Sequence, residues 1–168
     1  MNIQIRRETP EDAAAIRHVL EQAFGGSDEA DLVEMLREAD KTSISLVAIQ
    51  DGQVVGHILF SPVTITTAQA SVTSVGLAPV AVLPEFQNRG IGSKLIREGL
   101  EQCGKAGYDV VVVLGDHRFY SRFGFSRASA YGQGNEYGAD ENFMAMELSD
   151  GVLAKVSGIV KYQPEFSV

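Results

Sequence analysis

The run Gln87-Asn88-Arg89-Gly90-Ile91-Gly92-Ser93-Lys94 combines two glycines with two cations and contains no acid. A helix entered through it presents the positive end of its dipole and its unpaired N–H groups at that point. No carboxylate appears before Glu98 to satisfy that end. Gly90 and Gly92 carry no Cβ to hold a phosphate off the backbone, and Arg89 and Lys94 add positive charge nearby. The chemistry that fits is capture of a pyrophosphate. Spacing excludes two other phosphate motifs: a dinucleotide fingerprint wants a third Gly or Ala where Leu95 stands, and no Gly-x-x-x-x-Gly-Lys-Ser/Thr run is present. The competing reading is a glycine-rich turn that serves packing alone.

The elements that must position this run are readable on either side of it. Residues 2 to 7 start as a short strand. Thr9-Pro10-Glu11-Asp12 then reads as N-cap, N1 proline and acidic first turn of a helix bearing Ile16, Val19, Leu20, Ala23 and Phe24 at helical spacing. Gly25-Gly26 end it, and Ser27 opens a second helix with Leu32, Val33 and Leu36 on its stripe. Strands follow at Ile44 to Gln50 and Val54 to Thr66, joined by an Asp51-Gly52 hairpin turn. A third strand over Ser71 to Leu83 is interrupted by Gly76 and Pro79, which suggests a bulge or an edge. Behind the glycine run, Ile91, Leu95, Ile96, Leu100 and Cys103 share a helical face that ends at Gly104 and Gly107. A buried strand, Asp109 to Leu114, comes next, and strand, helix, strand at this spacing implies a parallel crossover. An aromatic helix near Arg118 to Phe123 and β-leaning segments near Phe125 to Tyr131, Asn142 to Leu148 and Lys155 to Tyr162 complete a mixed α/β chain.

Composition narrows the classes further. The chain has 168 residues, 45% hydrophobic and 21% charged, ordinary usage for one globular domain with a sizeable core. The longest aliphatic run, Val110 to Leu114, is far short of the roughly 18 residues of a membrane span. No apolar segment follows Arg6-Arg7, so no secretory signal is expected and a cytoplasmic address is. The single cysteine, Cys103, supplies neither an internal disulfide nor a multi-thiolate metal site, so no metal is expected. A net charge of −8 disfavours nucleic acid and suits a cationic partner.

Val80-Ala81-Val82-Leu83-Pro84-Glu85-Phe86-Gln87-Asn88-Arg89-Gly90-Ile91-Gly92 resembles motif A of the GNAT superfamily of N-acetyltransferases, whose Gln/Arg-x-x-Gly-x-Gly/Ala pattern is met by Gln87, Gly90 and Gly92. Tyr120-Ser121-Arg122-Phe123-Gly124-Phe125 is similar to that family's Tyr-x-x-x-Gly-Phe element. The wording and the C-terminal extension are similar to the YhbS-like subgroup of predicted acyltransferases. The resemblance covers roughly residues 1 to 148 as one acetyltransferase domain, with 149 to 168 as an extension packed on it. It implies a GNAT-like mixed central sheet with two N-terminal helices, a bulged splayed strand and a parallel crossover helix. It also implies acetyl-CoA as co-substrate, lying where the strand of Val80-Ala81-Val82 splays from the Val-rich strand. Pantetheine amides would pair with the freed edge at Val80, Ala81 and Val82. The pyrophosphate would meet the segment Gln87, Asn88, Arg89, Gly90, Ile91, Gly92 and Ser93.

The same resemblance implies direct transfer to a primary amine, with Tyr120 as general acid. A phenol, whose ordinary pKa is about 10, stays protonated at neutral pH and can protonate the CoA thiolate. The alternative for Tyr120 is membership of an aromatic core with Phe119, Phe123 and Phe125. The base is open: the Val-rich strand has no carboxylate, leaving Glu85, Asp116, His117 or a water relay. His57 could line the acceptor cleft or be a structural histidine, Cys103 lacks a histidine partner, and His18 reads as helix surface. The acceptor is a small-molecule or peptide amine, with polyamines, aminoglycosides, lysine side chains and protein N-termini all admitted. Relatives of this family often form homodimers. A non-catalytic acyl-CoA-binding module is the alternative function, and a protein-interaction domain with a merely structural glycine turn is a third.

Overall fold

The computed structural model describes residues 2–66 and 72–167. Ser71, the expected start of the third strand, lies outside the described residues. The chain divides into two units, Met1–Phe60 with Pro79–Gly99, and Ser61–Ala78 with Leu100–Val168. Three elements run through both: strand β3 (Gln53–Ile65), strand β4 (Ser74–Val82) and helix α3 (Ile91–Lys105).

The first unit opens with strand β1 (Gln4–Arg7). The turn Pro10–Asp12 that follows is 3-10 rather than α. Asp12 stands at the start of the helix that follows but makes no side-chain cap bond to it. It accepts the Thr9 backbone N–H at 2.7 Å and a two-pronged contact from the Arg6 guanidinium at 2.7 and 3.0 Å. That pairing with Arg6 chiefly holds the carboxyl down at about 2. Helix α1 (Ala13–Phe24) ends on Gly25 at φ +73°, the left-handed conformation open to glycine. Its Ile16, Val19 and Leu20 are buried, whereas Phe24, expected on the same stripe, is 45% exposed beside that cap. Helix α2 (Asp28–Glu38) buries Val33 and Leu36.

Strand β2 (Ile44–Gln50) lies between β1 and β3, antiparallel to both. Asp51 and Gly52 join β2 to β3 with φ of +51° and +77°, the double left-handed turn that matches strand twist. Helix α3 seats closely on β3 through two glycines. A Cβ at Gly56 would stand 3.0 Å from Leu95 Cδ1, and one at Gly99 would stand 2.4 Å from Phe60 Cε1. The missing side chains admit those apolar groups.

In the second unit, β4 pairs in parallel with strand β5 (Val110–Leu114) from Ser74–Val110 to Gly76–Val112. That ladder ends at Gly76, although β4 continues without a break through Pro79 to Val82. In the β2–β3 ladder the register shifts between Ala48 and Ile49, where Val55 of β3 is the extra residue. Strand β8 (Phe143–Glu147) pairs antiparallel with all of β5, and the short strand β6 (Ser126–Arg127) pairs with β8. The sheet is therefore mixed, and helix α3 links its parallel strands as expected. Val110 to Val113 are buried, and Leu114 at the strand end is 37% exposed.

Residues 149–167 fold into this second unit. Strand β9 (Gly158–Lys161) runs antiparallel to β3 at Thr64–Lys161 and Ile65–Val160, and parallel to strand β7 (Gln133–Asn135). Val63, Phe143, Ala145, Leu153 and Val160 share one buried apolar cluster. Among the described residues, no helix is long and apolar enough to cross a membrane.

Candidate active site

The glycine run forms a socket in the first unit. The Leu83 N–H donates to the Val55 carbonyl at 2.9 Å, and the Ala81 carbonyl lies against Gly56 of β3. Alternation along β4 turns the N–H and C=O groups of Val80 and Val82 the other way. A 3-10 turn, Pro84–Phe86, then redirects the chain. The Gln87 side chain reaches back and donates its amide to the Val82 carbonyl at 3.0 Å. One carbonyl of that outward edge is thereby taken.

Asn88 and Gly90 are both left-handed, at φ +64° and +83°. Such alternation about Arg89 curls successive N–H groups toward one point. Asparagine tolerates that conformation and glycine favours it. Backbone angle, not lack of room, is what requires glycine at position 90, since a Cβ there would meet nothing within 4 Å. The Lys94 N–H closes the first helical turn on the Gly90 carbonyl at 3.0 Å, and the first turn contains no acid. Ile91, Gly92 and Ser93 thus supply the N–H groups that a helix leaves without internal partners. Gly92 would bring a Cβ no closer than 3.8 Å to Val82 Cγ2.

The two cations are less committed to an anion than their positions in the sequence suggest. The Arg89 guanidinium lies over the Phe86 ring at 5.4 Å, and Lys94 Nζ reaches the Ile3 carbonyl at 3.5 Å. The socket is chiefly backbone.

Tyr120 belongs to the second unit, where its ring is held on every side. Asp116 accepts the Arg118 N–H at 2.9 Å and caps helix α4 (His117–Tyr120). After a 3-10 turn at Ser121–Phe123, Gly124 at φ +102° swings the chain back. Phe125 then meets the Tyr120 ring edge-on, centroids 5.8 Å apart, and Phe119 meets it at 5.1 Å. The Gly-Phe of the motif acts here as a turn and a wall. Tyr120 is 8% exposed, and burial raises its phenol above the ordinary value. It keeps its proton at neutral pH.

Gly115, to which the sequence reading gave no role of its own, seats the Tyr120 ring. A Cβ there would stand 2.4 Å from Tyr120 Cε2, so the ring rests on bare backbone. The available signal was a glycine directly after a Val-rich strand.

The candidate bases occupy different settings. Glu85 is exposed in its 3-10 turn, and Asp116 is engaged as a cap. His117 Nδ1 lies 3.2 Å from Asn142 Oδ1 and 3.7 Å from Glu141 Oε1, on an open depression. His57 lines no cleft. It is fully buried, with Nε2 2.9 Å from Ser45 Oγ and 3.6 Å from Glu8 Oε1. Ser45 also donates to Glu8, and Arg37 Nε donates to the same carboxylate at 2.9 Å. Burial lowers the His57 pKa despite Glu8. Burial raises the Glu8 pKa, but hydrogen bonds from His57, Arg37 and Ser45 outweigh it and hold the carboxyl near 2. This serine, histidine and glutamate form a buried brace with no exposed nucleophile. Cys103 is buried too, and no group of metal ligands occurs among the described residues.

Fold and socket together define a class. The chain belongs to the GNAT acetyltransferase family, whose domain model matches residues 4–128. It is 38% identical over 165 residues to the uncharacterized N-acetyltransferase YhbS of Escherichia coli strain K12, covering 97% of this chain and 98% of that protein. The crystal structure of Escherichia coli YhbS in complex with CoA superposes with a TM-score of 0.93 at 37% identity, covering 100% of this chain and 93% of that one. A GNAT family acetyltransferase from Brucella melitensis in complex with acetyl-CoA gives a TM-score of 0.81 at 42% identity, covering 98% of each chain.

Proposed function

We propose that the protein transfers an acetyl group from acetyl-CoA to a primary amine by direct attack. The observation that carries this reading is the backbone socket: left-handed Asn88 and Gly90 open an acid-free helix start beside the outward-facing edge of Val80 and Val82. The relatives crystallised with CoA and acetyl-CoA support it.

In this reading the N–H groups of Asn88 to Ser93 hold the pyrophosphate, and Val80 to Val82 align the pantetheine arm by strand-like pairing. Gln87 shapes the socket from behind. The neutral amine forms its bond to the acetyl carbon as the C–S bond breaks, and the Tyr120 phenol gives its proton to the departing thiolate. The nitrogen loses its proton to water or to a base near His117. Tyr120 then regains a proton from solvent, so the protein is unchanged at the end of the cycle.

Incubation with acetyl-CoA and a panel of primary amines, read as free thiol and as an acetylated product by mass spectrometry, tests the reading. Amine-dependent thiol release is expected. Tight acetyl-CoA binding with no release above the amine-free rate would make the protein an acyl-CoA-binding module instead.

A further inference from the structure

Among the described residues, two buried hydroxyls in the second unit have no hydrogen-bond partner: the Tyr162 phenol and Ser61 Oγ. Both lie outside the segments already assigned to the socket, and Tyr162 lies in the extension beyond the matched residues 4–128. A buried hydroxyl oxygen with no partner of either kind is costly and rare in native structures. Its persistence here asks for a ligand.

Their placement is specific. Strand β9 carries Tyr162 to the end of β3. There the Tyr162 N–H donates to Glu136 Oε1 at 2.9 Å, and Gln163 Nε2 donates to the Pro62 carbonyl at 2.9 Å. The ring lies directly on Gly76: a Cβ there would stand 2.7 Å from Tyr162 Cε2 and 3.0 Å from Val63 Cγ1. Gly76 with Val112 is the last pair of the β4–β5 ladder. Tyr162 therefore covers the point at which those strands stop pairing. Ser61 and Val63 are two residues apart on β3 and share a face, so both hydroxyls serve the same side of the sheet. Tyr162 is 8% exposed and Ser61 fully buried.

We propose that Tyr162 and Ser61 form the polar end of the acceptor subsite, where Tyr162 positions the primary amine for attack; this rests on the acetyl-transfer reading above. Each neutral hydroxyl accepts an N–H of the amine and leaves its lone pair aimed outward. Tyr162 shares its buried cluster with Val63, Phe143 and Val160, and such apolar surroundings favour the uncharged amine over ammonium. The subsite thus eases the step for which β5 offers no carboxylate. Burial, with Tyr137, Glu136 and Tyr120, opposes ionisation of the Tyr162 phenol. It stays neutral, and it lies within electrostatic reach of the proposed acid.

Tyr162→Phe and Ser61→Ala remove the oxygens while keeping ring and strand. Steady-state kinetics are measured with the fastest acceptor among n-butylamine, spermidine, Nα-acetyl-lysine amide and a short peptide with a free N-terminus. The expected result for Tyr162→Phe is a rise of about tenfold or more in acceptor KM. Acetyl-CoA affinity by calorimetry stays unchanged and Tm is not lowered. Ser61→Ala moves KM in the same direction. Unchanged acceptor KM in both variants overturns the subsite alone, as does a loss confined to Tm and acetyl-CoA affinity. Wild-type protein that releases thiol with none of the amines overturns the transfer reading and the subsite with it.

Discussion

The Tyr120 ring lies on the backbone of Gly115, with Cε2 2.4 Å from where a Cβ at that glycine would stand. No flexible group lies between them, so any side chain at 115 must move the ring out of its seat between Phe119 and Phe125.

Gly115→Ala is therefore expected to act as a displaced Tyr120. Turnover falls by about tenfold or more, toward the level of Tyr120→Phe, while acetyl-CoA affinity stays within about twofold. Parallel kinetics and calorimetry on both variants check this. Full turnover in Tyr120→Phe with a true acceptor would remove the phenol from the mechanism.

A backbone socket makes a second comparison decisive. Gly90→Val forces a branched residue toward φ +83°, whereas Arg89→Ala removes a cation that already rests on Phe86. Calorimetric titration with acetyl-CoA should show the larger loss for Gly90→Val. The reverse order would mean that side-chain charge, not N–H geometry, holds the phosphates.

Stability should fall on mild acidification. His57 has a folded-state pKa below its ordinary value of 6.5, so the unfolded chain binds the proton first. The contribution is complete above pH 6.5 and is lost as pH drops below it, with a slope of up to about 1.4 kcal/mol per pH unit. Glu8, held near 2 against 4.5, contributes above pH 4.5 and loses that contribution as pH falls toward 2. Denaturant melts at pH 7.5, 6.0 and 5.0 should show the decline, and His57→Gln should flatten it between 6.5 and 5.

Gly99→Ala sets two effects against each other inside helix α3. Alanine gains about 1 kcal/mol of helix propensity, but its Cβ would stand 2.4 Å from Phe60 Cε1. Overpacking of about 1–3 kcal/mol wins, so a lower urea midpoint is expected. A raised midpoint would show that Phe60 can shift freely.

Local chemistry made much of this architecture readable. Asp51-Gly52 announced a hairpin turn, and the α3 stripe and the acid-free run before it stood out because each depends on neighbours in the chain. What escaped depends on distant partners. Strand β7 is Gln133-Gly134-Asn135, with no apolar alternation, and it exists as a strand by pairing with β9. Gly115 and Gly76 matter because of rings five and more than eighty residues away, Tyr120 and Tyr162. His57, read as either a cleft residue or a structural histidine, is a buried brace because Ser45 arrives from β2 and Glu8 from just after β1.

The amide of Gln87, fixed to the Val82 carbonyl, helps to give the loop proposed to hold the diphosphate its form before any ligand arrives. Association then requires no folding of a floppy segment, and its heat-capacity change reflects only the surface covered. Removing that tether, as in Gln87→Ala, would loosen a ready-made receptacle and leave each incoming molecule part of the work of assembling it.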